Sequence, residues 1–221
     1  MIIAVDGPAA AGKGTLAYRL AERLGFAYMD TGLLYRAVGL AVLRRGVSSR
    51  DGAAVVEVAR EVRTAALSDP MLRSEAVGQM ASQVAVIPAV RAVLLTRQRV
   101  FAQCPPEGKG GAVMDGRDIG TVVCPHAECK LFVTANLAVR AQRRVKELRE
   151  RGMPAIESQV LAQMHERDRR DKERAIALLM PAEDAFILDT SEMNAEMALS
   201  MALTYVARCT EGFQGQDRIT S

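Results

Sequence analysis

The chain has 221 residues, 29 Lys and Arg against 26 Asp and Glu for a formal net charge of +3, and only 4% aromatic residues with no tryptophan. Such a length can bury one compact core with small insertions and does not require two domains. The near balance of charge and the scarcity of stacking rings argue against a nucleic-acid binder, and no apolar run is long enough to cross a bilayer, so small anionic ligands fit the composition better. The apolar start "MIIAV" follows no basic region and stops at Asp6, which is not a signal-peptide pattern. Four cysteines (Cys104, Cys124, Cys129, Cys209) include no C-x-x-C pair, and two histidines cannot complete a zinc spacing. They read as reduced thiols of a soluble, cytoplasmic protein.

The first element is a strand, "MIIAVD", followed at once by "GPAAAGKGT" and a helix with Leu16, Leu20 and Leu24 at one-turn spacing. Glycines let a backbone close around an anion, and a helix N-terminus adds partial positive charge, so Gly7, Pro8, Ala9, Ala10, Ala11, Gly12, Lys13, Gly14 and Thr15 form a candidate phosphate loop. Against G-x-x-x-x-G-K-[ST] the match is Gly7, Gly12 and Lys13, with the hydroxyl one place late at Thr15. An ordinary Gly-rich turn is the bland alternative. A second strand, "FAYMD", runs into "DTGLLYR", where Thr31 suits a helix N-cap and Arg36 follows a turn or so inside.

Residues 37 to 103 carry only helical patterning, with a loop near "SDP" and a break at Pro88. This insertion is short and lacks alternating β-branched residues, so no small sheet is expected in it. A third strand, "GGAVMD", ends in Asp115, a candidate magnesium-organising carboxylate together with Thr15; Arg117 and Asp118 follow at the same edge. After a fourth strand, "KLFVTA", residues 136 to 176 form an arginine-rich excursion of two helices punctuated by Gly152 and Pro154. In its second helix Arg167, Asp171 and Arg174 stand at i, i+4 and i+7, although Glu166 with Arg170 would also suit a merely solvated face. The last strand, "AFILDT", precedes a closing helix, and residues 210 to 221 read as a frayed tail. Alternating strands and helices predict a parallel five-stranded α/β sandwich with ligands at the strands' C-terminal edge.

Taken together, "GPAAAGKGT", "DTGLLYR", "ASQVA" followed by "VR", "MDGRDIGTVV" and "ERDRRDKER" resemble the bacterial cytidylate kinases over nearly the whole chain. The resemblance implies a single P-loop kinase domain of core, acceptor-binding insertion and lid, moving the terminal phosphate of ATP to CMP or dCMP with Mg2+. It implies that Gly7 to Thr15 bind ATP, and that Thr31, Arg36, Arg117 and Arg174 surround the acceptor phosphate. Ser82, Arg91 and Asp118 would read the base, Arg167 and Asp171 would lie near sugar and phosphates, and Arg140, Arg143 and Arg144 are lid candidates for the donor. Lys13, Arg117, Arg167 and Arg174 are the expected catalytic cations. A monomer without nucleic-acid or membrane partners is expected. A kinase for another small acceptor (AMP, UMP, shikimate) is the competing enzyme reading, and a non-catalytic nucleotide-binding switch the competing non-enzyme one, disfavoured because no N-K-x-D guanine signature is present.

Overall fold

The computed structural model describes residues 1–62, 67–173 and 178–216. Its strands are β1 (Ile2–Asp6), β2 (Ala27–Asp30), β3 (Ala112–Gly116), β4 (Cys129–Thr134) and β5 (Phe186–Asp189). They form one parallel sheet in the order β2-β3-β1-β4-β5. All five coincide with the runs read from the sequence. Register places Val5 opposite Asp115 and Asp30 opposite the same residue, so the aspartates that end β1, β2 and β3 gather at one edge of the sheet.

Alternation along β1 sends Ile3 and Val5 to one face and Ala4 to the other. On the first face helix α1 (Lys13–Leu24) and the closing helix α8 (Ala195–Gln216) pack Leu16, Leu20, Leu199 and Val206 against Leu131, Val133 and Leu188. The opposite face is covered by Ala102 and by a single π-helical turn, Ile119–Val123, which brings Ile119 and Val123 onto Met114. Helices on both faces keep such a sheet dry. Helix α8 reaches Gln216, past the point where the sequence suggests fraying; burial of Leu199, Ala202 and Val206 nucleates it, and a nucleated helix extends readily.

Between β2 and β3 the described residues hold helices and no strand: α2 (Thr31–Arg45), α3 (Gly52–Glu61), a 3-10 turn Pro70–Arg73, α4 (Glu75–Val84) and α5 (Pro88–Gln103). Pro88 stands at the start of α5, where its missing N–H costs nothing. These helices build a cluster of their own around Val38, Val42, Val55, Leu72 and Leu94. Gly39 lets α2 and α4 approach closely, since a Cβ there would lie 2.9 Å from the Ala81 nitrogen. The arginine-rich excursion is α6 (Leu137–Glu150) and α7 (Glu157–Glu173), joined through Gly152 at φ 71° and packed through Val145, Leu148, Val160 and Met164.

The reduced-thiol expectation fails for one pair. Cys129 on β4 and Cys209 on α8, 80 positions apart, are joined as a disulfide with Cα atoms 5.9 Å apart. Sequence spacing could not show this, because the two meet only through the packing of α8 on the sheet. Cys104 and Cys124 are free. Among the described residues no single helix is long and apolar enough to cross a membrane.

Candidate active site

The loop after β1 is shaped by backbone conformations that most side chains avoid. Gly7 has φ 147°, and a Cβ there would stand 1.9 Å from the Val133 carbonyl oxygen, so only glycine lets the loop leave β1 so close to β4. Ala10 holds φ 59°, a strained value for a residue with a side chain, and Gly12 caps α1 in the left-handed region at φ 88°. The first helical bond runs from the Leu16 N–H to the Gly12 carbonyl, and no side chain caps α1. The amides of Lys13, Gly14 and Thr15 therefore lack intrahelical acceptors, which is the arrangement that receives an anion.

Below the loop, Lys13 Nζ lies 3.2 Å from Asp115 Oδ1, with both side chains largely buried. Burial, with Arg117 alongside, holds Lys13 below its ordinary ammonium range; burial likewise lifts Asp115 above the usual carboxylate range, against the pull of Lys13. Bound polyphosphate beside Lys13, or a cation beside Asp115, would favour the charged forms. Asp115 Oδ1 has no hydrogen bond of good geometry although it is buried. A buried carboxylate oxygen at the strand end, faced by the Lys13 ammonium, suits a hard cation. The described residues contain no cluster of three or more His, Cys, Asp or Glu able to hold a metal, so an ion here would need oxygens from a ligand or water, as Mg2+ commonly does. Thr15 is exposed on the same cleft wall, which it shares with Lys13, Tyr28 and Asp30.

Arg117 and Arg167 come together deeper in the cleft. Arg117 Nε donates to Asp171 Oδ2 at 3.0 Å. Burial alone would lower the Arg117 pKa, but Asp171 and Asp115 outweigh it and raise the group above its ordinary value. Arg167 is the opposite case: burial, then repulsion from Arg117, pushes it down to about 10, and its buried Nε has no hydrogen-bond partner. A half-buried cation with an unpartnered donor would be stabilised by an anion. Asp6, at the end of β1, accepts from the Ile119 and Gly120 amides at 2.8 and 2.7 Å and so ties the turn after Asp118 to the strand that feeds the phosphate loop.

The far end is a small pocket among Ser82, Arg91, Asp118, Arg167 and Asp171. Arg91 and Asp118 form a close buried ion pair, and the Arg91 guanidinium lies 5.6 Å from the Tyr35 ring centroid. Arg36 donates to the Leu72 carbonyl at 2.7 Å, and burial, then Arg144, lowers its pKa. Thr31 departs from its expected role. The cap of α2 is Asp30, and Thr31, already inside the helix, donates to the Asp115 carbonyl oxygen at 2.7 Å, pinning α2 to β3. The strand simply runs one residue closer to the helix than the capping pattern assumes.

Of the three lid arginines, Arg144 lines the central cleft of about 230 Å³ with Lys13, Arg36, Arg117 and Arg167. Arg140 is buried against Asp168, 2.6 Å away, and donates to the Ala9 carbonyl, fixing the lid to the phosphate loop. Arg143 donates to both oxygens of Thr190. Arg174 lies outside the described residues. Sequence reading missed Tyr35 as part of this wall, and Asp6 and Arg170 as supports behind it, Asp6 holding the turn after Asp118 and Arg170 bonding Ser82. Tyr35 was available inside "DTGLLYR", and Asp6 as one of several strand-ending aspartates, whereas Arg170 looked like half of a surface pair with Glu166.

One cleft thus runs from the glycine-rich loop and Lys13 at one end, past Arg117 and Arg167, to the Arg91–Asp118 ion pair at the other. A profile of the cytidylate kinases matches residues 3–208. The chain belongs to the cytidylate kinase family. Its relatives include the cytidylate kinase of Rhodospirillum rubrum, 56% identical over 94% of this chain and 97% of that one, and that of Paramagnetospirillum magneticum, 58% identical over 91% and 95%. A solved structure of an uncharacterised protein from Eubacterium ventriosum superposes with a TM-score of 0.54 at 13% identity, covering 94% of this chain and 98% of that one, a likeness of fold alone.

Proposed function

We propose that this family member transfers the γ-phosphate of ATP to CMP or dCMP, with the donor on the loop from Gly7 to Thr15 and the acceptor's base between Ser82, Arg91 and Asp118. The observation that carries the reading is Arg167: a half-buried guanidinium whose buried Nε has no partner, lining both the cleft beside the glycine-rich loop and the small pocket of Ser82, Arg91 and Asp118. Core, insertion and lid of one kinase domain would correspond to the sheet, residues of about 37–103 and those of about 136–176.

The acceptor phosphate has a second pKa of about 6 and is largely dianionic near neutral pH, so no general base is needed to make the nucleophile. The barrier is repulsion and alignment. Lys13 and the loop amides would hold the donor's terminal phosphates, and Arg36, Arg117 and Arg167 would hold the acceptor's phosphate in line with them; Arg174 is assigned with these three on resemblance alone. Asp115 and Thr15 would hold Mg2+, whose chemistry here is neutralising the donor's phosphate oxygens. Asp171 keeps Arg117 charged and aimed, and Asp6 holds the turn that follows Asp118.

Base selection follows from hydrogen-bond polarity. Cytosine presents an amine where uracil presents a carbonyl, and Asp118 accepts while Arg91 donates. A monomer is the proposed state, and the proposed compartment is the cytoplasm, where ATP is abundant. The direct test incubates the protein with Mg2+, ATP and, separately, CMP, dCMP, UMP, AMP and shikimate, and separates products by chromatography. CDP and dCDP should dominate; turnover of AMP, UMP or shikimate in preference to CMP would overturn the assignment.

A further inference from the structure

The lid meets the insertion along one stripe of α4. Glu75, Gln79 and Ser82 stand at i, i+4 and i+7 of that helix and share a face. Arg144 of α6 donates to Glu75 at 2.9 Å, and Gln79 Nε2 donates to Glu75 at 3.1 Å. From α7, Arg170 donates through Nη2 to Gln79 Oε1 at 2.8 Å and through Nε to Ser82 Oγ at 3.2 Å. Its third nitrogen, Nη1, bonds Glu166 at 3.2 Å, which orients the guanidinium from behind. Nε and Nη2 form one edge of the planar group, so a single rigid fork spans two residues three apart on α4.

Two consequences follow from that geometry. A serine hydroxyl is a free rotor until a donor occupies one of its lone pairs; Arg170 occupies one on Ser82, which is itself buried at the wall of the base pocket. Arg170 also sits three residues from Arg167 and one from Asp171, so the fork that grips Ser82 sets the position of the helix that carries both. We propose that Arg170, received by Gln79, is a positioning residue for acceptor selectivity: it fixes the Ser82 hydroxyl toward the base and registers the lid's Arg167 over the acceptor phosphate. This rests on the reading of Ser82 as a base contact.

The test is steady-state kinetics with CMP and UMP for Arg170→Met and Arg170→Lys, with thermal melting to check folding. Both variants should raise the KM for CMP about tenfold, the scale of one charged hydrogen bond, because lysine keeps the charge but cannot span two acceptors. The preference in kcat/KM for CMP over UMP should fall by about fivefold or more, while the KM for Mg-ATP stays within about twofold. A lysine variant that behaves as wild type would show that charge alone matters and would overturn the proposal. So would an equal rise in KM for ATP and CMP with unchanged base preference, the mark of a generally loosened lid. Should the arginine variants not fold, Gln79→Leu removes only the Nη2 acceptor and should move KM for CMP and base preference the same way by about threefold; no change overturns the proposal. Wild type that makes no CDP would instead overturn the reading of the site, whereas active wild type with indifferent Arg170 variants removes only the role assigned to Arg170.

Discussion

The two ends of the cleft are built in different ways. The donor end is local: nine consecutive residues, one strand end and one helix start, with backbone amides left to be satisfied by a ligand. The proposed acceptor end is assembled from α2, α4, α5, the turn after β3 and α7, and its charges are paired, Arg91 with Asp118 and Arg117 with Asp171, except at Arg167, whose Nε has no partner. The proposed donor end therefore offers free backbone amides, while the proposed acceptor end offers side chains most of which a substrate must share with an existing partner. A local site is sensitive to backbone shape. A paired, composite one is sensitive to hydrogen-bond polarity.

That contrast can be broken most forcefully at Lys13. Lys13→Met should lower kcat by about 10³-fold, a barrier increase of about 4 kcal/mol, while leaving CMP binding largely intact, since the charge acts on the transferring group. Binding of CMP by calorimetry beside single-turnover kinetics checks both halves; a variant that loses CMP affinity as severely as kcat would mean the two ends are not separable. Next comes shape. Gly7→Ala should destabilise the fold by about 3 kcal/mol, because its Cβ would collide with the Val133 carbonyl and its backbone conformation suits glycine alone. Urea unfolding measures this, and a shift of a few tenths would refute the close-approach argument.

Polarity at the acceptor end gives a smaller effect. Asp118→Asn should cut the preference for CMP over UMP by about tenfold or more, since an amide can donate to the uracil carbonyl where a carboxylate cannot. Retained discrimination would move base reading elsewhere. The smallest expected effect is a slope. Burial, partly opposed by the Gly120 and Ile119 amides, raises Asp6 from 3.8 to about 7. The folded state then keeps a proton that the unfolded chain releases, so the contribution of Asp6 is full below pH about 4 and fades as pH rises toward 7, by up to about 1.4 kcal/mol per unit. Asp6→Asn should flatten the stability curve over that window. An unchanged slope would assign the pH dependence to other groups.

How much was legible beforehand follows the same division. The strands announced themselves as short apolar runs, four of the five finishing in or next to an aspartate at the sheet's C-terminal edge. The break at Pro88 was legible because φ restrictions act on neighbouring residues. Thr31 was misjudged as a cap because its partner, the Asp115 carbonyl, lies 84 positions away. The Cys129–Cys209 bond, the grip of Asp6 on the turn after Asp118, and the fork of Arg170 were hidden for the same reason.

By itself, then, the sequence determined what rests on periodicity, glycine freedom and the order of motifs: the sheet, the glycine-rich loop, the helical insertion and the family. Tertiary structure alone decided which charges neutralise one another. Arg167 and Arg170 sit on the same helix with the same side chain, yet one is left with an orphaned donor in the cleft and the other is spent on Gln79 and Ser82. That difference depends on which element packs opposite each guanidinium, and electrostatic partnership falls off over a few ångströms of space rather than over positions along a chain.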